Sequence, residues 1–250
     1  MLKLVLTLLI TGICAFAQAA EPLRFASTAN NPPFEFLTTD NELVGFDIDL
    51  SKALCERMQQ ECIFTNIVFE RLIPSLKFRR YDVIISGLDI TKERKKLVEF
   101  TDPYITNSGT LIAGKGLYTD IEQLKGKRVG IGAETTQQAY LLAAWPEIIA
   151  VPYDNYQNAL LDMRSGRLDG IFGDTLAVQE LLKTDPMLAR VGESITDSHY
   201  FGTGLGLAVR KGNVELKEKL NRALQSLKED GTLHKLGLRW FAPSADAAGV

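Results

Sequence analysis

One unit that occurs twice limits the fold more than any other feature of the chain. RLIPSLKFRRYDVIISG, from Arg71, and NALLDMRSGRLDGIFGD, from Asn158, align at an offset of 87 residues. Ile73 falls on Leu160, Leu76 on Met163, Arg80 on Arg167, Asp82 on Asp169 and Ile84 on Ile171. Each copy reads as a helix, a polar turn carrying Arg-x-Asp, a buried strand, and a polar residue where the strand ends. Helix and strand in alternation make a layered α/β fold, and ligands of such sheets collect outside the carboxyl ends of the strands. Two copies predict two similar lobes, each aiming a strand end at a shared cleft.

The same alternation fills the rest of the chain. LRFAS, CIFTNIVF, KRVGIG and GLGLAVR have strand character, and GFDIDLSKALCERMQ is amphipathic, with Leu50, Leu54 and Met58 on one face and Asp47 or Asp49 near its start. KEKLNRALQSLKEDGTLHKLGLRWF predicts a long C-terminal helical region. The first twenty residues, MLKLVLTLLITGICAFAQAA, place a Lys before an apolar run and end in Ala17-Gln18-Ala19, the layout of a cleavable secretory signal. Ile13 before Cys14 is too large for a lipid-attachment site, so an exported chain starting at Ala20 or Glu21 is expected. The segment PSADAAGV carries no membrane span, which fits a free-standing monomeric protein better than the sensing lobe of a receptor.

Composition excludes several classes. The formal charge is −3 with both signs mixed, and no basic block interleaves with aromatics, which argues against a nucleic-acid partner. Cys55 and Cys62 form a closely spaced even pair, and in an exported protein this favours a disulfide. So small a loop should contribute about 2–3 kcal/mol. With no His near the cysteines, and His199 and His234 isolated, neither a metal nor another cofactor is expected.

Three strand ends carry the chemistry. The first, in SGLDITKERKKLVEFTDPY, offers Ser86, Gly87, Asp89, Thr91 and Arg94; the second is Asp174, with Thr175 opening a helix. The third, in GIGAETTQQAYLL, offers Gly132, Thr135, Thr136 and Gln137 at a helix start, where free backbone N–H groups favour an anion. Thr91 and Asp174 also suit plain helix caps, and Lys92, Lys95 and Lys96 a solvated face. GIGAET lacks the third glycine of a dinucleotide fingerprint, and the lysine of a phosphate-binding loop is absent. An Arg fork suits a carboxylate and an Asp suits an ammonium, so together they describe a site for a zwitterion.

SGLDITKERKKLVEFTDPY, NNPPFEF, LVGFDIDLSKAL and YFGTGLGLAVRKGN, in this order and with the cysteine pair, resemble the polar amino-acid-binding proteins of bacterial ABC importers, above all the periplasmic arginine-binding and lysine/arginine/ornithine-binding proteins. The resemblance implies a two-lobed type II periplasmic-binding fold, with residues 20–107 and 206–250 in one lobe, 108–205 in the other, and crossing strands near 105–111 and 202–208. It also implies an L-amino acid as ligand, arginine first with glutamine, ornithine or citrulline open, and an inner-membrane ABC permease as partner. In that family the position of Arg94 pairs with the ligand α-carboxylate, that of Asp174 with the α-ammonium, and Thr135, Thr136 and Gln137 add donors. Ser86, Gly87 and Asp89 would line the wall, and Phe69 would cover the ligand side chain. Thr28 and Asn31 depart from the pattern, standing where relatives carry an acid and a stacking aromatic. The rival class is a dehydratase on this fold, for which Glu35 or His199 would be the acid or base; neither sits at a motif position that ties it to the cleft.

Overall fold

The computed structural model describes residues 21–241. The leader, its cleavage site, Cys14 and the segment PSADAAGV lie outside the described residues. In chain order the first part contains β1 (Leu23–Ser27), β2 (Asn30–Asn31), β3 (Glu35–Leu37), β4 (Leu43–Val44), α1 (Phe46–Arg57), β5 (Cys62–Asn66), α2 (Leu72–Lys77), β6 (Val83–Ile84), α3 (Lys92–Leu97) and β7 (Val98–Phe100). The middle contains β8 (Gly109–Gly114), β9 (Arg128–Gly132), α4 (Thr136–Ala144), β10 (Ile149–Tyr153), α5 (Tyr156–Arg164), β11 (Gly170–Asp174), α6 (Thr175–Thr184), β12 (Leu188–Arg190) and α7 (Ser198–Phe201). The last part is β13 (Ala208–Arg210), α8 (Val214–Glu229) and α9 (Thr232–Phe241).

Two five-stranded sheets result, ordered β5-β1-β6-β13-β7 and β10-β9-β11-β8-β12. In each, the first three strands run parallel and the fourth and fifth join antiparallel. The repeated unit sits at the same place in both. Asp82 enters β6 by donating its N–H to Arg24 O and accepting from Arg24 N; Asp169 enters β11 by doing the same with Arg128, and all four distances are 2.8–3.0 Å. The two lobes are therefore copies of one βαβ plan. Pro152 is tolerated in β10 because that strand is an edge.

The chain passes between the sheets twice, and there Leu205 bridges both Ile105 and Asp89. Phe25, Leu50, Leu54 and Leu224 are fully buried under α1 and α8 in the first lobe, and Val129, Ile131, Leu141 and Phe172 in the second. Each such side chain contributes roughly 1.5–3 kcal/mol on burial. The C-terminal helical region is two helices, not one, because Gly231 takes φ 78° and ends α8. Phe241 of α9 packs on Phe34 and Phe46 with ring centroids 5.3 and 4.6 Å away, closing the first lobe. Cys55 and Cys62 are disulfide-bonded, tying the end of α1 to the start of β5.

Candidate functional site

A cavity of about 400 Å³ lies between the lobes, lined by residues of both. Local backbone chemistry puts each wall where it is. Gly87 holds φ 52°, a left-handed turn that lets its N–H point back to Asp47 Oδ2 at 2.7 Å. In β11, a Cβ on Gly173 would sit 2.6 Å from the Tyr156 ring, so only glycine lets the strand deliver Asp174 to the cavity beside that tyrosine. Thr91 caps α3 by accepting from Arg94 N at 3.1 Å, and Thr135 caps α4 by accepting from Gln138 N. These caps orient the first turns that carry Arg94 and Gln137.

Arg94 donates from Nη1 to Asp89 O at 3.2 Å, and its Cζ lies 5.6 Å from the centre of the Phe69 ring. The rest of the guanidinium fork is open to an anion. Asp89 and Asp174 face each other through Asn107, whose Nδ2 donates to Asp89 Oδ1 at 2.7 Å and to Asp174 Oδ1 at 2.6 Å. Thr136 Oγ1 donates to Asp89 Oδ2 at 2.5 Å, and Gln137 Nε2 to Asp174 Oδ1 at 2.6 Å. Burial and then the neighbouring Asp174 charge push Asp89 up to about 7, while burial raises Asp174 to about 6. One arginine thus faces two buried acids. An ammonium between the acids and a carboxylate on Arg94 would balance the set.

A second polar group forms the wall beside Ser86. Thr28 Oγ1 and Ser86 Oγ each donate to Glu35 Oε1 at 2.8 Å. Glu35 is fully buried against Asp47, and burial followed by that neighbour's charge holds it well above the usual carboxylate range. Asp47, in the first turn of α1, is fully buried and accepts from Gly87 N and from Tyr104 OH at 3.1 Å. Across the cleft mouth, Asn30 Nδ2 donates to Asp154 O at 2.6 Å, so the lobes touch on both sides of the cavity.

The structure brings nine of the ten sequence-predicted ligand residues to the cavity wall: Asn31, Phe69, Ser86, Gly87, Asp89, Arg94, Thr135, Gln137 and Asp174. Thr136 is absent from that lining, because its hydroxyl is turned to Asp89. The cation over Phe69 is the protein's own Arg94. Of the two candidate acid–base residues, Glu35 lines the cavity after all, whereas His199 stacks edge-on to Tyr200 away from it.

The sequence matches the model of the bacterial extracellular solute-binding proteins, family 3, over residues 23–243. The chain belongs to this family. It is 54% identical to the ABC transporter arginine-binding protein 1 of Escherichia coli K12 and 52% identical to the putative ABC transporter arginine-binding protein 2 of the same organism; each alignment covers 96% of this chain and 99% of the relative. Among solved structures, a Salmonella typhimurium periplasmic binding protein described for its high arginine specificity superposes with a TM-score of 0.85 at 42% identity, covering 89% of this chain and all of that one.

In this solute-binding protein, sequence reasoning missed Asn107, Asn30 and the segment Tyr153–Tyr156 of the second lobe. Asn107 lies in a crossing segment with no periodicity to mark it. The signal for Glu35 was available: an acid between Phe34 and Phe36 in a strand is a buried charge that needs partners.

Proposed function

We propose that this protein is a periplasmic receptor that closes over L-arginine and delivers it to an inner-membrane ABC permease. The observation that carries the reading is the charge set of the cavity, one part-buried arginine opposed to two buried acids joined by Asn107. Arg94 takes the α-carboxylate, Asp174 and Asp89 take the α-ammonium, and Gln137 and Thr135 complete the head-group site from the second lobe. Thr136 acts by orienting Asp89, and Ser86, Gly87, Asn31 and Phe69 enclose the side chain. The similarity to arginine-binding proteins over nearly the whole chain supports arginine as the side chain read. Residues 20–107 and 206–250 act as one lobe and 108–205 as the other. A ligand that bridges both binds the closed form better than the open one, so function is a shift in population. Binding without turnover, as a monomer exported by cleavage of the leader, completes the reading.

A thermal-shift panel on mature protein, refolded to strip carried-over ligand, tests it. A ligand at a hundred times its dissociation constant stabilises by about 2.7 kcal/mol. At this chain length each kcal/mol moves the midpoint by about 2–4 °C. Arginine should give the largest shift among the common L-amino acids, ornithine and citrulline. A larger shift with glutamine or another neutral amino acid would keep the clamp and remove arginine from it. No shift with any of them would remove the amino-acid reading.

A further inference from the structure

Behind the first-lobe wall sits a buried acid that the head-group site does not use. Glu35 has no exposed surface. Its Oε1 takes two hydroxyl protons, from Thr28 and from Ser86, each at 2.8 Å. Ser86 Oγ also accepts from Thr28 N at 3.2 Å, and the two hydroxyl oxygens lie 2.9 Å apart, where either can donate to the other. Glu35 Oε2 and Asp47 Oδ1 have no donor among the described residues. On the far side Gly87 N and Tyr104 OH hold Asp47 in place.

A hydroxyl has one proton to give and two lone pairs. Whether each proton goes to Glu35 or to the neighbouring hydroxyl, both are spent within this group, and what Thr28 and Ser86 can offer the cavity is acceptor capacity alone. We infer that Glu35 is a positioning residue for specificity: it fixes the Thr28 and Ser86 hydroxyls as acceptors, so that this wall takes an N–H-rich cationic group and rejects a carbonyl oxygen. The inference rests on the arginine reading given above and names the part of the protein that separates arginine from its neutral isostere. A methionine in place of Glu35 accepts neither proton, which frees a hydroxyl proton to meet a carbonyl on the ligand.

The test is calorimetric titration of wild type, Glu35→Met and Thr28→Val with L-arginine and with L-citrulline, which replaces one guanidinium nitrogen by a carbonyl oxygen. In Glu35→Met the arginine-over-citrulline ratio should fall by ~10-fold or more, the scale on which a polar site discriminates against an unmatched group. Citrulline affinity should hold within a few-fold. A purely structural role for Glu35 would weaken both ligands together and leave the ratio unchanged, which would overturn the inference. Thr28→Val keeps Glu35 and is nearly isosteric, so it decides the matter if Glu35→Met does not fold: arginine must weaken more than citrulline, and an unchanged ratio again overturns it. The arginine reading is judged separately, on wild type alone. Wild type that ignores arginine overturns that reading and this inference together, whereas tight arginine binding with an unmoved ratio overturns the inference only.

Discussion

In the first lobe the central strand β6 stops at Ile84, and the chain runs on through Ser86, Gly87 and Asp89 before Thr91 caps α3. In the second lobe its counterpart β11 reaches Asp174 and turns at once into α6. Behind these ends the lobes match closely. Asp82 and Asp169 make the same paired backbone contacts to Arg24 and Arg128. Arg24 and Arg128 also each reach the turn of the repeated unit, through Arg79 O and Arg167 O. The shared contacts lie where β6 and β11 begin, away from the cleft, and hold strand to helix. The difference lies where the strands end, and it is what a zwitterion requires: two identical ends would offer the same charge twice, whereas a long loop leading to Arg94 in the first turn of α3, opposite a short end carrying Asp174, offers both signs. The repeated plan supplies the scaffold, and the difference between the two ends supplies the site.

Arg94→Ala should break the comparison most deeply. Removing the guanidinium leaves the ligand carboxylate unpaired, and truncating one member of a buried charge pair costs about 3–5 kcal/mol, or roughly two to four orders of magnitude in affinity. Ligand-free stability should fall by less than this, since α3 keeps its Thr91 cap, which bonds the Arg94 backbone, and Asp89 and Asp174 can take up a proton when they lose the cation. Calorimetry with arginine and a urea melt check both halves. Sub-micromolar binding by the variant would mean that the long first-lobe end is not the anion clamp.

The second contrast is covalent. The step from α1 to β5 is closed by Cys55–Cys62, whereas the matching step from α4 to β10 relies on backbone bonds, Trp145 N to Leu141 O and Ile148 N to Trp145 O. Replacing both cysteines by serine should lower stability by about 2–3 kcal/mol, as loop entropy predicts for so short a loop. Arginine affinity should stay within about twofold, because neither cysteine lines the cavity. A large loss of affinity would show that the disulfide shapes the first-lobe wall and does more than brace it.

Much of this was legible in the residues. The 87-residue echo and its Arg-x-Asp turns announced the paired lobes, because a buried strand start needs its backbone satisfied and Asp at that point does so in both copies. The charged members of the site were legible too, since Arg94, Asp89 and Asp174 each follow a strand. What escaped was whatever depends on the lobes meeting. Asn107 matters only because two carboxylates converge on it from different lobes, and Thr136 points at Asp89 across the same gap. Neither relation leaves a mark in local periodicity. Glu35 escaped for another reason: its partners Thr28, Asp47 and Ser86 come from three separate segments.

Asp174 ends its lobe with a charge that the ligand-free protein holds at some expense. Its carboxyl titrates near 6 because it is buried. A carboxyl raised in the folded state contributes most at low pH and loses that contribution as pH rises through the folded value. Asp174→Asn has no such loss. It should therefore be more stable than ligand-free wild type at pH 8, by on the order of 2–3 kcal/mol, with the gap closing toward about pH 4. Its Oδ1 can still accept from Asn107 and Gln137, which keeps the fold intact. Urea melts at several pH values read this directly, and arginine binding by the same variant should be severely weakened. A gap that does not depend on pH would show that the second-lobe end is not under charge strain.

The smallest effect tests whether the two turns are equivalent in energy as well as in shape. α2 and α5 both end in a left-handed residue, and it is Arg79 in the first lobe, at φ 55°, and Gly166 in the second, at φ 74°. The backbone bonds around them correspond: Arg79 N to Leu76 O and Arg80 N to Ser75 O in one, Gly166 N to Met163 O and Arg167 N to Asp162 O in the other. A side chain in this region costs roughly 1–2 kcal/mol, and glycine gives back part of that through its freer unfolded state. Arg79→Gly should then stabilise by about 0.5–1 kcal/mol, and Gly166→Arg should destabilise by about the same amount, since nothing lies within 4 Å of a Cβ there and only the backbone is strained. Comparing urea midpoints at equal slope resolves differences of this size better than extrapolated free energies do. If Arg79→Gly fails to stabilise while Gly166→Arg costs as expected, the Arg79 side chain compensates for its own strain, and the two lobes share the turn's geometry without sharing its energetics.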